Sequence, residues 1–252
     1  MSRVADTRHP IDAPGTDEAA WAAWPGLDAL PDASVQWLAG LSSAVVVAAH
    51  PDDEVLGAGG LIAMLAAAGT RLRLVAITDG EGSHRGRADP VALARRRTAE
   101  TTAALSALGA GTAEVIRLGM PDSGLAGREN DLAAALERVI AGFDVCLAPW
   151  DRDMHPDHEA AGRAARRAAR RQPGLRALCY PVWMWHWASP SDPRVPWDQA
   201  LRVSLPPGAT TRKRAAIGCF TSQTEDRGGR LGPVLPESMI AHFTRATEVL
   251  LP

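Results

Sequence analysis

Between residues 44 and 171, short apolar runs alternate with stretches of helical length, and this alternation constrains the fold more than any other feature of the chain. Strands are predicted at 44–49 (AVVVAA), 72–78 (LRLVAIT), 113–118 and 144–149 (DVCLAP), with helices at about 57–69, 91–108, 130–141 and 156–171. Strands that alternate with helices imply right-handed crossovers and a mainly parallel sheet covered on both faces, a Rossmann-like three-layer α/β sandwich. After Arg176 the rhythm changes. Residues 177–187 (ALCYPVWMWHW) and 201–205 read as strands, 210–218 as a helix and 228–236 as a loop, a tail expected to complete the sheet and one wall of its cleft. Residues 1–40 carry Pro10, Pro14, Pro25 and Pro31 between Trp21, Trp24 and Trp37, which suggests a partly ordered arm anchored by its indoles. Residues 41–252 then form a single domain.

A chain of 252 residues can bury one large core, and 46% hydrophobic with 22% charged residues is ordinary for a globular protein. No apolar run approaches the roughly 20 residues that span a bilayer. The first residues lack the apolar segment of a secretory signal. Cys146, Cys179 and Cys219 are widely spaced without a CxxC pair, which suits reduced thiols, so a cytoplasmic protein is expected. A net charge of −2 leaves no nucleic-acid footprint, and the arginines at 166, 167, 170 and 171 read as a solvated helix face. A homo-oligomer stays open.

Two clusters carry the chemistry: His50-Pro51-Asp52-Asp53-Glu54 and His155-Pro156-Asp157-His158, each just after a predicted strand. Open parallel sheets gather ligands beyond the carboxyl ends of their strands, so the clusters can converge although about 100 residues separate them. A catalytic zinc site takes three ligands from His, Asp or Glu and keeps a position for water, and His50, Asp53 and His158 supply such a set. In a tight turn, residues i and i+3 face one side, which frees Asp52 to move a proton between water and a leaving amine. Pro156 suits a first helical position, with His155 near the N-cap and able, once protonated, to donate to an oxyanion. Glu54 and Asp157 are candidates to orient a ligand imidazole or to close a turn. Zinc and ferrous iron suit such a set alike.

The motifs AHPDDE (49–54) and HPDH (155–158) resemble the two signatures of the LmbE-like, or N-acetylglucosaminyl-phosphatidylinositol de-N-acetylase, family. TDGE (78–81), RTAE (97–100) and LGMPDSGLAG (118–127) agree, and KRAAIGCFTSQ (213–223) echoes it more weakly. The resemblance implies a metal-dependent N-deacetylase acting on a small glycoconjugate that contains N-acetylglucosamine. By position it makes His50, Asp53 and His158 the zinc ligands, Asp52 the base and then acid, and His155 the oxyanion stabiliser. It also places Arg97 and Asp122 at sugar hydroxyls. Rival readings stand beside these: Arg97 as part of a solvated arginine run, Asp122 as the shaper of a PDSG turn, and WDRDM (150–154) as a departure from the family's loop. An amidase for a larger acyl group, or a sugar-binding protein without catalysis, are the alternative functions. Trp183, Trp185 and Trp187 alternate, so as a strand they share a face and fill a core, or one of them meets a sugar. The 82–87 loop, with two glycines, His84 and two arginines, is an ordinary loop or a cover over an anionic group.

Overall fold

The computed structural model describes residues 9–33, 40–84, 86–228 and 232–252. A short helix α1 (Glu18–Ala22) precedes the alternating region. There follow β1 (Ser43–Ala48), α2 (Asp53–Ala67), β2 (Arg71–Ala76), α3 (Pro90–Ala107) and β3 (Glu114–Arg117). Next come α4 (Glu129–Val139), β4 (Val145–Pro149), α5 (Pro156–Ala169) and β5 (Arg176–Tyr180). The tail holds α6 (Met184–Trp187), β6 (Leu201–Ser204), α7 (Pro207–Ile217), α8 (Thr221–Thr224), α9 (Glu237–Ala241) and β7 (Thr247–Leu250).

Five strands form one parallel sheet in the order β3-β2-β1-β4-β5. The three-layer α/β architecture expected from the alternation is the one observed. Strand β1 is buried along its whole length because each face meets a helical layer. Its Val46 and Ala48 pack with Leu56 and Leu61 of α2, while Val45 and Val47 pack with Leu132 and Leu136 of α4. The strand order reverses at β1, whose partners are β2 on one side and β4 on the other. That switch point sets the ends of β1 and β4 side by side, which is why the two motifs meet.

Helix α2 starts at Asp53, four residues before the predicted start. Its glycines discouraged the longer helix, but they are packing devices: a Cβ on Gly57 would sit 2.0 Å from the ring of Tyr180, and one on Gly60 would sit 2.3 Å from Leu205. Tyr180 donates its hydroxyl to Val47 O at 2.7 Å. The backbone N–H groups of Gly60 and Leu61 donate to Glu248 at 2.7 and 2.8 Å, and Lys213 Nζ also reaches that carboxylate at 2.7 Å. All three partners are buried, so the ion pair is shielded from water.

The tail departs from its expected form in two ways. Residues 177–187 are not one strand: β5 ends at Tyr180 and a helical turn follows, so the three tryptophans do not share a strand face. Pro181 brings no N–H to a ladder, and the next three backbone N–H groups all donate to Asp153. Strand β6 pairs only with β7, antiparallel, rather than extending the main sheet, which is reached by a bridge between Leu251 and Cys179. Near the amino end, Trp21 is fully buried and donates Nε1 to Trp185 O at 2.9 Å, with Trp24 against it. Trp37 lies outside the described residues, as does Arg85 of the 82–87 loop. Among the described residues no helix is long and apolar enough to cross a membrane.

Candidate metal centre and cleft

The turn after β1 is short because Asp53 opens α2 while its carboxylate accepts the N–H of His50 at 2.8 Å. Asp52 is the N-cap at φ 123° and ψ −30°, a conformation L residues rarely adopt. A strained backbone at a functional position needs the surrounding structure to hold it. Glu54, fully buried, accepts the Asp52 N–H at 3.2 Å, which closes the turn rather than orienting an imidazole. Burial pushes the Glu54 carboxyl up to about 8.

After β4, residues 150–154 turn into α5, with Pro156 at its start and His155 as N-cap, as the sequence indicates. His155 Nδ1 accepts the Asp157 N–H at 3.3 Å, which leaves a proton for Nε2 in the neutral ring. Burial, and then the imidazoles of His158 and His50, lower His155 to about 3. The neutral tautomer can donate, and the protonated form considered from sequence is disfavoured in this setting.

His50 Nδ1 lies 3.4 Å from His158 Nε2, His158 Nε2 lies 3.2 Å from Asp53 Oδ1, and His50 Nδ1 lies 3.6 Å from Asp53 Oδ2. Ligands at tetrahedral zinc, with bonds of about 2.0–2.1 Å, stand about 3.3 Å apart. The three donors therefore fit a divalent ion between them. The rings are presented by their far nitrogens: His50 Nε2 faces Asp122 and Asp157 at 3.3 Å each, and His158 Nδ1 faces Asp153 at 2.8 Å. A carboxylate behind an imidazole holds the proton on the outer nitrogen and leaves the inner lone pair to a metal. Two further triples gather ligand atoms within 4.8 Å, His50 with His155 and His158, and His50 with Asp122 and Asp157.

The charge balance agrees. Burial lowers His50 and His158, but their carboxylate partners outweigh it and hold His50 well above its ordinary value and His158 at about 9. Asp53, despite burial, is held well below the usual carboxylate range by His158 and His50. Without a cation these rings keep protons to offset the acids, and a divalent ion would take the place of those protons.

Asp52 borders a cavity of about 170 Å³ whose lining includes His50, Asp53, His155 and His158. Arg97 also borders it and is 2% exposed, so it is no solvated helix face. Its guanidinium donates to Gly80 O at 3.0 Å, to Pro51 O at 2.5 Å and to Asp52 Oδ2 at 3.2 Å. Burial raises Asp52 to about 7, against the pull of Arg97. Asp122 accepts from Gly82 N at 2.8 Å and Ser123 Oγ at 3.1 Å besides facing His50. Asp157 accepts from Ser123 N at 2.7 Å and Leu125 N at 3.1 Å, and so ties the 118–127 segment to His50.

A model of the family described as GlcNAc-PI de-N-acetylase (PIG-L) matches residues 45–169. YaiS, an uncharacterised deacetylase of Escherichia coli, is 32% identical over 138 residues, which cover 52% of this chain and 70% of that protein. The chain belongs to the PIG-L family. A 1D-myo-inositol 2-acetamido-2-deoxy-alpha-D-glucopyranoside deacetylase of Saccharomonospora viridis is 33% identical over 168 residues, or 54% of this chain and 61% of that one. The chain thus spans less than two thirds of that relative's length. The conserved protein TT1542 of Thermus thermophilus superposes with a TM-score of 0.56 at 29% identity, covering 80% of this chain and 84% of the other. The PIG-L match takes in both histidine clusters, Arg97, Asp122 and Asp153. It ends before Trp183, Gln223, Val234 and Leu235, which line the same cavity.

Sequence reasoning passed over Asp153 as a functional residue. Its carboxylate is fully buried, accepts from His158 Nδ1, and accepts three backbone N–H groups from residues 182–184. The available signal was an acid two residues ahead of a His-Pro pair. Gln223 was equally silent, since only the fold brings α8 to the cavity.

Proposed function

We propose that this protein is a zinc-dependent N-deacetylase, acting in the cytoplasm on the 2-acetamido group of a small glycoconjugate that contains N-acetylglucosamine. The observation that carries the reading is the tetrahedral spacing of His50 Nδ1, His158 Nε2 and Asp53 beside a cavity that Asp52 and His155 also border. These three residues would hold the ion, with ferrous iron an alternative of the same fit. When bound, zinc acidifies water and polarises an amide carbonyl.

The residues do the rest. Asp52 takes a proton from the attacking water, and the carbonyl carbon becomes tetrahedral. His155 donates its Nε2–H to the oxyanion. Asp52 returns the proton to the nitrogen as the C–N bond breaks, so acetate and a free amine leave. Asp122 is placed to meet a sugar hydroxyl with its spare lone pairs, and Arg97 to hold Asp52 and meet a neighbouring hydroxyl. Asp157 and Asp153 fix the two ligand imidazoles. The sequence region 41–252 works as one domain in this reading.

Release of acetate and amine from a panel of 2-acetamido-2-deoxyglucosides tests it. Activity that a chelator abolishes and zinc restores is the expected result. Enzyme with zinc bound that frees no amine from any acetamido sugar would overturn it.

The Asp52–Arg97 contact gives a pH prediction. The base works as carboxylate, so kcat/KM falls as pH drops through its pKa. Arg97 favours the carboxylate, and Arg97→Met should therefore move the acid limb to higher pH. A limb that stays in place would mean that another group governs it.

A further inference from the structure

The lining of the cleft is divided. Asp122, Ser83, Arg97 and Gln223 supply its polar part, while Leu56, Val182, Trp183 and Leu235 supply its apolar part. A pyranose ring has the same division, with hydroxyls around its edge and C–H bonds on its faces. Trp183 is the single aromatic hydrocarbon surface in the lining among the described residues.

Its placement is tightly determined. Asp153, which holds His158, also accepts the Trp183 N–H at 2.9 Å, so one buried carboxylate ties the indole's backbone to a candidate metal ligand. The indole lies nearly parallel to the His155 ring, at 18° and 6.4 Å between centroids. The edge of His186 packs on it at 6.0 Å and 86°, and His186 in turn contacts Ala13 O at 3.0 Å. Trp21, Trp150 and Trp185 are buried at 0, 2 and 5% exposure, whereas Trp183 stays half-buried at the cleft. A large indole held rigid and left partly uncovered beside a reaction centre is suited to contact a ligand with little loss of side-chain entropy.

We propose that Trp183 is a specificity-determining platform on which the C–H face of the amino-sugar ring stacks, one ring away from His155. The inference rests on the reading of the site as an amino-sugar deacetylase and adds the residue that recognises the ring. The platform acts on ring binding and leaves the chemistry at the amide to Asp52 and His155.

The test compares Trp183→Leu and Trp183→Phe in zinc-loaded enzyme on two substrates, methyl 2-acetamido-2-deoxyglucoside and the acyclic N-acetylethanolamine. Trp183→Leu should raise KM for the sugar about tenfold with kcat nearly kept, Trp183→Phe should stay within about threefold, and both should leave kcat/KM for the acyclic amide unchanged. Matching zinc content and thermal midpoints confirm that the fold is kept. Sugar kinetics that ignore Trp183→Leu overturn the platform, and so does an equal loss on both substrates, which would mark a role through His155. If the unaltered enzyme hydrolyses no sugar, the deacetylase reading fails on its own. Calorimetric binding of the glucoside, lost in Trp183→Leu and kept in Trp183→Phe, would then still support the platform, and equal binding by both would remove it.

Discussion

Asp52→Asn should lower kcat by about 10²–10⁴-fold while zinc content and fold stay unchanged. The exchange keeps the size of the side chain and leaves an oxygen for Arg97, which now reaches Asp52 Oδ2 at 3.2 Å. It leaves the three proposed ligands untouched and removes only the group able to carry a proton from water to nitrogen. The backbone offers a second view of the same residue. At φ 123° only glycine is at ease, so Asp52→Gly should be as inactive as the Asn variant and more stable, by about 1–3 kcal/mol in urea unfolding. Turnover close to normal in a fully metallated Asn variant would remove Asp52 as the base, and an unchanged urea midpoint in the Gly variant would remove the strain.

Asp153→Ala carries the other large effect. One carboxylate there satisfies His158 Nδ1 and the N–H groups of Val182, Trp183 and Met184. Its loss leaves several buried donors without partners, at about 1–3 kcal/mol each before relaxation, and frees the imidazole to rotate. Zinc affinity measured by chelator competition should fall about 10–100-fold. Asp153→Asn should behave similarly, because its amide NH₂ would confront groups that are already donors. Normal zinc affinity in a folded Ala variant would show that His158 needs no such support.

The parallel sheet and the meeting of the two motifs were legible in the sequence because their signals are local: apolar runs, helix-length intervals and ligand types at strand ends. The start of α2 was not, since Gly57 and Gly60 read as helix-weakening until Tyr180 and Leu205 are seen to occupy the space of their missing side chains. The 177–187 segment misled because alternating tryptophans imitate a strand, and nothing nearby announces that Asp153 captures the backbone beyond Pro181. Arg97 illustrates the general difficulty. Its neighbours Arg95 and Arg96 share its chemistry, and only the helix phase turns it alone toward Asp52.

The clasp of Glu248 on α2 sets an order of assembly. The helix that launches from Asp52 has two mid-helix N–H groups bound to a carboxylate near residue 250, with Lys213 as its counter-ion. As the chain leaves the ribosome, the sheet can form from residues 43–180, but the first motif cannot settle until another seventy or so residues have emerged. The reaction centre is therefore among the last parts of the molecule to be finished, and an unfinished chain holds its acids and imidazoles in an open arrangement with weak hold on metal.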